Sequence, residues 1–174
     1  MNGRSQLTMT LALVGVLGAG EAFAQTKIPP RVSDFAMSAA EADHYEILAA
    51  RDAITQSENA SVRAFAQEMI QDHTLASDDL NKAASASGLP PLPPALSSDQ
   101  ALMLSALQSL RGADFDKAYV RQQVLAHTQA LAVEQSFANG GSDPNLRKVA
   151  QTAVPMIQHH LERAKQISVV LGAP

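Results

Sequence analysis

The sequence predicts an all-α protein: an antiparallel four-helix bundle with a short accessory helix on its crossover. Three observations carry that prediction. The chain is rich in Ala, Leu and Gln, and only 4% of its 174 residues are aromatic, a composition that loses little side-chain entropy in helix. No stretch alternates apolar and polar residues as a half-buried strand does. Four long segments instead carry apolar residues at i, i+3, i+4 and i+7, bounded by capping residues and joined by short links.

The first 24 residues read as a secretory signal. Arg4 supplies a positive start, Leu7 to Ala19 is apolar with small residues interspersed, and Ala22-Phe23-Ala24 is a small-x-small cleavage site that would leave Gln25 as the new N-terminus. The apolar run is too short and too Gly-rich for a membrane span, so the mature form is expected to have no transmembrane segment. Residues 25–174 are then one domain of roughly 150 residues around one core. Thirteen Lys and Arg against seventeen Asp and Glu give a net charge of −4, with no basic stripe, which argues against nucleic acid as a partner. The absence of Cys suits an oxidising compartment and excludes disulfides, thiolate catalysis and Cys-ligated zinc.

Thr26 to Pro30 is an extended lead-in, kept out of helix by Pro29 and Pro30. Ser33 is the expected N-cap of the first long helix, which runs to about Gln56 and carries Phe35, Ala39, Ala42, Glu46, Ala49, Ala50 and Ala53 on one stripe. The second starts near Asn59 and ends before Gly88. Its stripe is Val62, Phe65, Ala66, Met69, Ile70, His73, Ala76, Leu80, Ala83 and Ala84. Leu89 to Pro94 forms a stiff crossover anchored by Leu89 and Leu92. Ser97 or Ser98 caps a short helix through Leu110. Asp114 is expected to cap the third long helix, Phe115 to about Ala138, whose inward arc is Phe115, Tyr119, Val120, Val124, His127, Ala130, Leu131, Glu134 and Phe137. After the Asn139-Gly140-Gly141 stop, Ser142 or Asp143 caps the last helix, with Pro144 at its permitted first position. Leu146, Val149, Ala150, Ala153, Ile157, His160, Leu161, Ala164, Ile167 and Leu171 form its stripe, and Pro155 is expected to kink it just before His160.

Helix wheels sort the ionisable residues. His44 and His159 point away from the apolar faces of their helices and are expected to be solvated. His73, His127, His160 and Glu46 fall inside apolar stripes, and Glu134 lies two turns from His127 on one face. A lone inward histidine is ordinarily a satisfied core residue. Several together must pair with one another or bind something, because burying an unpaired charge is expensive. Three imidazoles and a carboxylate suit zinc, iron, manganese or copper, and helical bundles build metal sites from facing helices. Glu46, His73, His127 and His160 sit near the middle of their helices, or somewhat past it, so one shared level is expected, with Asp72 and Tyr119 as supporting donors. Glu41-Ala42-Asp43-His44 spells Glu-x-x-His, the unit of di-iron carboxylate sites. Those sites need two such units, and this one falls off the Ala stripe, which argues against a di-iron oxidase. Phosphate loops, dinucleotide fingerprints and hydrolase elbows are absent, so nothing in the sequence argues for an enzyme.

The run Phe65-Ala66-Gln67-Glu68-Met69-Ile70-Gln71-Asp72-His73 resembles the second-helix signature of an exported bacterial ferritin-like family catalogued as a domain of unknown function and often called "predicted outer membrane protein". Phe115-Asp116-x-x-Tyr119 with His127 resembles its third helix, Pro155 with His160-Leu161 its fourth, and Glu46-Ile47 its first. The resemblance covers nearly the whole mature chain. It implies a ferritin-like bundle with an export signal and singles out Glu46, Asp72, His73, Tyr119, His127 and His160. It implies no activity. A helical protein without barrel strands fits the periplasm better than the outer membrane. Three functions follow as expectations. The first is a protein that binds a divalent transition metal, protective in metal or oxidative stress. The second is a structural or interaction module with an internal polar network. The third is a carrier of a small molecule or lipid.

Overall fold

The computed structural model describes residues 31–173. The expected signal peptide and the lead-in through Pro30 lie outside these residues. Among the described residues there are five helices and no strand: α1 (Val32–Gln56), α2 (Ala60–Ala86), α3 (Ser98–Gln108), α4 (Gly112–Gly140) and α5 (Pro144–Leu171).

Three helix starts are capped by side chains, two of them at residues the sequence offers as caps. The Asn59 side chain accepts from the backbone N–H of Ser61 and Val62, and Asp143 accepts from those of Asn145 and Leu146, with Pro144 opening α5. Ser97 and Gln100 form a reciprocal capping box at α3. Two starts differ from expectation. α1 begins two residues early, behind Arg31, and Ser33 lies inside it rather than capping it. α4 begins at Gly112 behind Arg111, so Asp114 acts on the helix dipole from the first turn instead of capping. α4 also continues to Gly140, and α3 stops at Gln108. α5 runs as one helix through Pro155, which faces solvent.

α1 packs on α2 and α4, and α5 packs on the same two, so the four long helices form a ring in the order α1, α2, α5, α4. Two apolar clusters fill its ends. One joins Ala49 and Ala53 of α1, Phe65 and Met69 of α2, Phe115 and Val120 of α4, and Ala164 and Ile167 of α5. The other joins Phe35 and Ala36, Leu80, Phe137, and Leu146 and Ala150. On α1 and α5 the chain therefore runs from the second cluster to the first, and on α2 and α4 the opposite way. The segment between α2 and α4 must travel the length of the molecule. Leu89 and Leu92 pin its start to the second cluster, and Leu104 and Leu107 of α3 bury its end in the first.

The buried face of α1 is broader and differently centred than the Ala stripe predicts. It holds Ala36, Ala40 and Asp43, while Ala39 and Ala42 are half-buried. On α4, Asp116 and Gln123 are buried, whereas Val124, Ala130 and Leu131 are only half-buried. Tyr45 is enclosed beside Glu46, and its hydroxyl donates to Gln122 Oε1 (2.8 Å), whose amide donates to the Met103 carbonyl (2.8 Å). Burial, and then the Glu46 charge, push this hydroxyl far above its ordinary pKa, so it stays a neutral donor linking α1, α4 and α3.

Candidate functional site: three imidazoles between two apolar clusters

Each long helix is interrupted between its two apolar patches by ionisable residues, and these meet at one level. α2 brings His73, α4 brings His127 and α5 brings His160, with 5, 1 and 0% of their surfaces exposed. Their ring centroids are 5.4–5.7 Å apart, and one nitrogen from each ring lies within 4.8 Å of one from each of the others. His159 is exposed, as the wheel predicts, and bonds Glu68 (3.0 Å). His44 is half-buried rather than solvated.

The partners of the three rings settle which nitrogen carries the proton. His73 Nδ1–H donates to Asp43 Oδ1 (2.8 Å), His127 Nδ1–H to the backbone carbonyl of Gln123 (3.0 Å), and His160 Nε2–H to Asp72 Oδ2 (2.9 Å). A carbonyl or carboxylate oxygen only accepts, so in each neutral ring the second nitrogen must present a lone pair. Those second nitrogens are His73 Nε2, His127 Nε2 and His160 Nδ1, all buried, and none has a hydrogen-bond partner among the described residues. Three lone pairs without a donor are a poor internal network and a good ligand set. One nitrogen of each ring lies within 4.8 Å of one from each of the others, so the three are no more than ~2.8 Å from a common centre, against about 2.0–2.1 Å for a zinc–imidazole bond.

Electrostatics keeps two of the rings neutral. Burial, followed by the nearby His73 and His160, pushes His127 down to about 3. Burial also lowers His160 despite its bond to Asp72. His73 goes the other way. Burial alone would lower it, but the Asp43 hydrogen bond and the charges of Asp43, Glu46 and Asp72 together raise it. A proton competing for this centre therefore goes first to His73.

Glu46 is at the same level but stands behind one ring. Its Oε1 is 3.7 Å from His127 Nδ1, the nitrogen that already serves Gln123, and its Oε2 accepts from Gln123 Nε2 (2.5 Å). Burial pushes this carboxyl up to about 7 against the lowering effect of His73 and Gln123. Asp72 supports the cluster by accepting from His160. Tyr119 is fully buried, and its hydroxyl has no partner among the described residues. Burial, with Glu46 and Tyr45, holds that hydroxyl well above its ordinary pKa.

Sequence reasoning passed over Asp43 and Gln123, which do the orienting on α1 and α4. A signal existed for Asp43: it lies three residues before Glu46 and so shares its side of the helix. It belonged to the Glu-x-x-His run, and an Ala-rich helix has more than one plausible buried stripe.

Fold and site together define an all-helical protein whose long helices enclose a three-imidazole cluster. The chain belongs to the family described as Domain of unknown function (DUF4142), which matches residues 18–167. No curated protein matches it. Among solved structures it is similar to a DUF305 protein from Streptomyces coelicolor (12% identity, TM-score 0.69, covering 80% of this chain and 92% of that one). It is also similar to a DUF305 fragment from Deinococcus radiodurans (16%, 0.67, 80% and 94%) and to CopM in its Cu(II)-bound form (17%, 0.66, 76% and 92%). At these identities the likeness is one of fold. No described helix is long and apolar enough to cross a membrane.

Proposed function

We propose that this is an exported, ferritin-like antiparallel four-helix bundle that binds one divalent transition metal ion through His73, His127 and His160. Asp43, the Gln123 carbonyl and Asp72 hold the three rings, and Glu46 and Tyr119 furnish polar support beside them. The observation that carries the reading is the trio of buried imidazole nitrogens whose lone pairs meet no donor. Outer partners of this kind fix the tautomer and raise ligand basicity. Three protein nitrogens also leave a coordination position free, as in sites that exchange ligands. That a protein of the same fold, CopM, has been obtained in Cu(II)- and Ag-bound forms supports the metal class without choosing the metal. Export is supported by the Arg4 start, the apolar run and the Ala22-Phe23-Ala24 site.

The test is elemental analysis of untagged protein isolated from the periplasm of its host, with an intact mass beginning at Gln25. Close to one equivalent of a transition metal is expected in the native chain and none in His127→Ala. Metal-free native protein that also fails to bind added Cu2+, Zn2+ or Co2+ would sink the reading and leave an internal polar network in its place.

A further inference from the structure

We propose that the cavity between α1 and α4 is the path by which a divalent cation reaches the three imidazoles, and that Glu134 draws it in. This rests on the metal-binding reading above and adds a route and a positioning residue to it. The cavity has a volume of about 130 Å3. Its lining passes from exposed Ser38 and Gln129 to buried Glu46, His73 and His127, so it connects solvent to two of the three rings. At about 30 Å3 for each molecule of liquid water, it has room for a partly hydrated ion.

The charges along it select a cation. Glu46 and Glu134 line the cavity, and among the described residues no Lys or Arg does. Glu134 is 7% exposed and its Oε2 has no hydrogen-bond partner among the described residues. A carboxylate in that setting is costly unless a cation or proton joins it. Glu134 is two turns from His127 along α4, about 10 Å at 1.5 Å per residue, and it is not part of the group formed by the three imidazoles. It is placed instead to attract an ion and hand it inward.

The opposite face, between α2 and α5, is a weaker route. Glu68, Asp72 and His160 also approach one another there. Arg163 lies 3.5 Å from Glu68, however, and the outer nitrogen of His160 already donates to Asp72.

A residue on the path changes the rates of loading and release together and leaves their ratio nearly alone. The experiment follows Co2+ uptake and release by the mature chain in a stopped-flow instrument, through the visible absorption of the imidazole-ligated ion, at low ionic strength. Glu134→Gln is expected to slow uptake roughly ten-fold, the lower end of electrostatic steering, with an equilibrium affinity close to that of the native chain. Ala130→Leu, which fills the cavity without touching a charge, is expected to slow both uptake and release. Native uptake rates in both variants would overturn the route. So would slow loading in Asp72→Asn with both cavity variants normal, which would move the path to the α2–α5 face. A native chain that takes up neither Co2+ nor Zn2+ nor Cu2+, even after prolonged incubation, would overturn the metal-binding reading and this route with it.

Discussion

His73 and Asp43 show how much of this centre depends on single atoms. The Asp43 Oδ1 contact at 2.8 Å is what turns the Nε2 lone pair of His73 inward. Asp43→Ala frees that ring to rotate or change tautomer, and metal affinity is expected to fall about 10–100-fold by isothermal titration. Asp72→Ala should cost less, because Asp72 is half-exposed and water can replace it beside His160. An Asp43→Ala protein with native affinity would remove Asp43 from the centre. Glu134 makes a second prediction at this scale. Burial, with Asp43 nearby, pushes its carboxyl up to about 7 from an ordinary 4.5. Between those values the folded chain holds a proton that the unfolded chain has released, so stability contributed by this group is lost as pH rises from 4.5 to 7. Glu134→Gln, metal-free, should therefore be more stable than the native chain at pH 8 by about 1–3 kcal/mol, with the difference shrinking toward pH 4.5. Thermal melts at both pH values check this, and an equal difference at both would contradict it.

The helix ends show why neighbouring residues of one type are not equivalent. Gly140 closes α4 and Gly141 follows it. A Cβ at Gly141 would lie 2.5 Å from a ring carbon of Phe137, and that ring is stacked on Phe35 with centroids 3.8 Å apart. The ring has nowhere to go without disturbing the second apolar cluster. Gly141→Ala is expected to destabilise the protein by about 1–3 kcal/mol. Gly140 has open space around it, and Gly140→Ala should be neutral or stabilising by up to about 1 kcal/mol, because alanine has less backbone entropy to lose in a helix. Denaturant unfolding of both variants checks the contrast in sign. If Gly141→Ala proved neutral, Phe137 would be free to move.

Over the whole molecule, three unpaired lone pairs between two apolar clusters are a local weakness that a bound ion would remove. Zn2+ or Cu2+ at 100-fold above its Kd should stabilise the fold by about 2.7 kcal/mol and raise the Tm of the mature chain by about 5–10 °C. A chelator should reverse the shift, and His127→Ala should not show it. The gain should shrink as pH falls toward and below the ordinary imidazole value of 6.5, because protons compete for imidazole and His73, raised above that value, takes one first. A Tm that ignores metal and chelator at neutral pH would favour the purely structural role.

The sequence by itself determined the helices and the inward histidines. Both are local properties: caps such as Asn59, Ser97 and Asp143 satisfy backbone groups within a turn, and the 3.6-residue period puts His73, His127 and His160 on apolar stripes. It also selected Glu46 correctly as a buried acid, because that residue interrupts an otherwise small and apolar face. Azimuth on one helix says nothing about depth or rotation against its neighbours. On α1, where small residues occupy several faces, more than one buried stripe is compatible with the pattern. Only packing chose the one that includes Asp43, gave that carboxylate to His73 and assigned Asp72 to His160. Only packing, too, left Glu46 behind the His127 ring and opened the cavity between α1 and α4, since both depend on how far apart two helices come to rest.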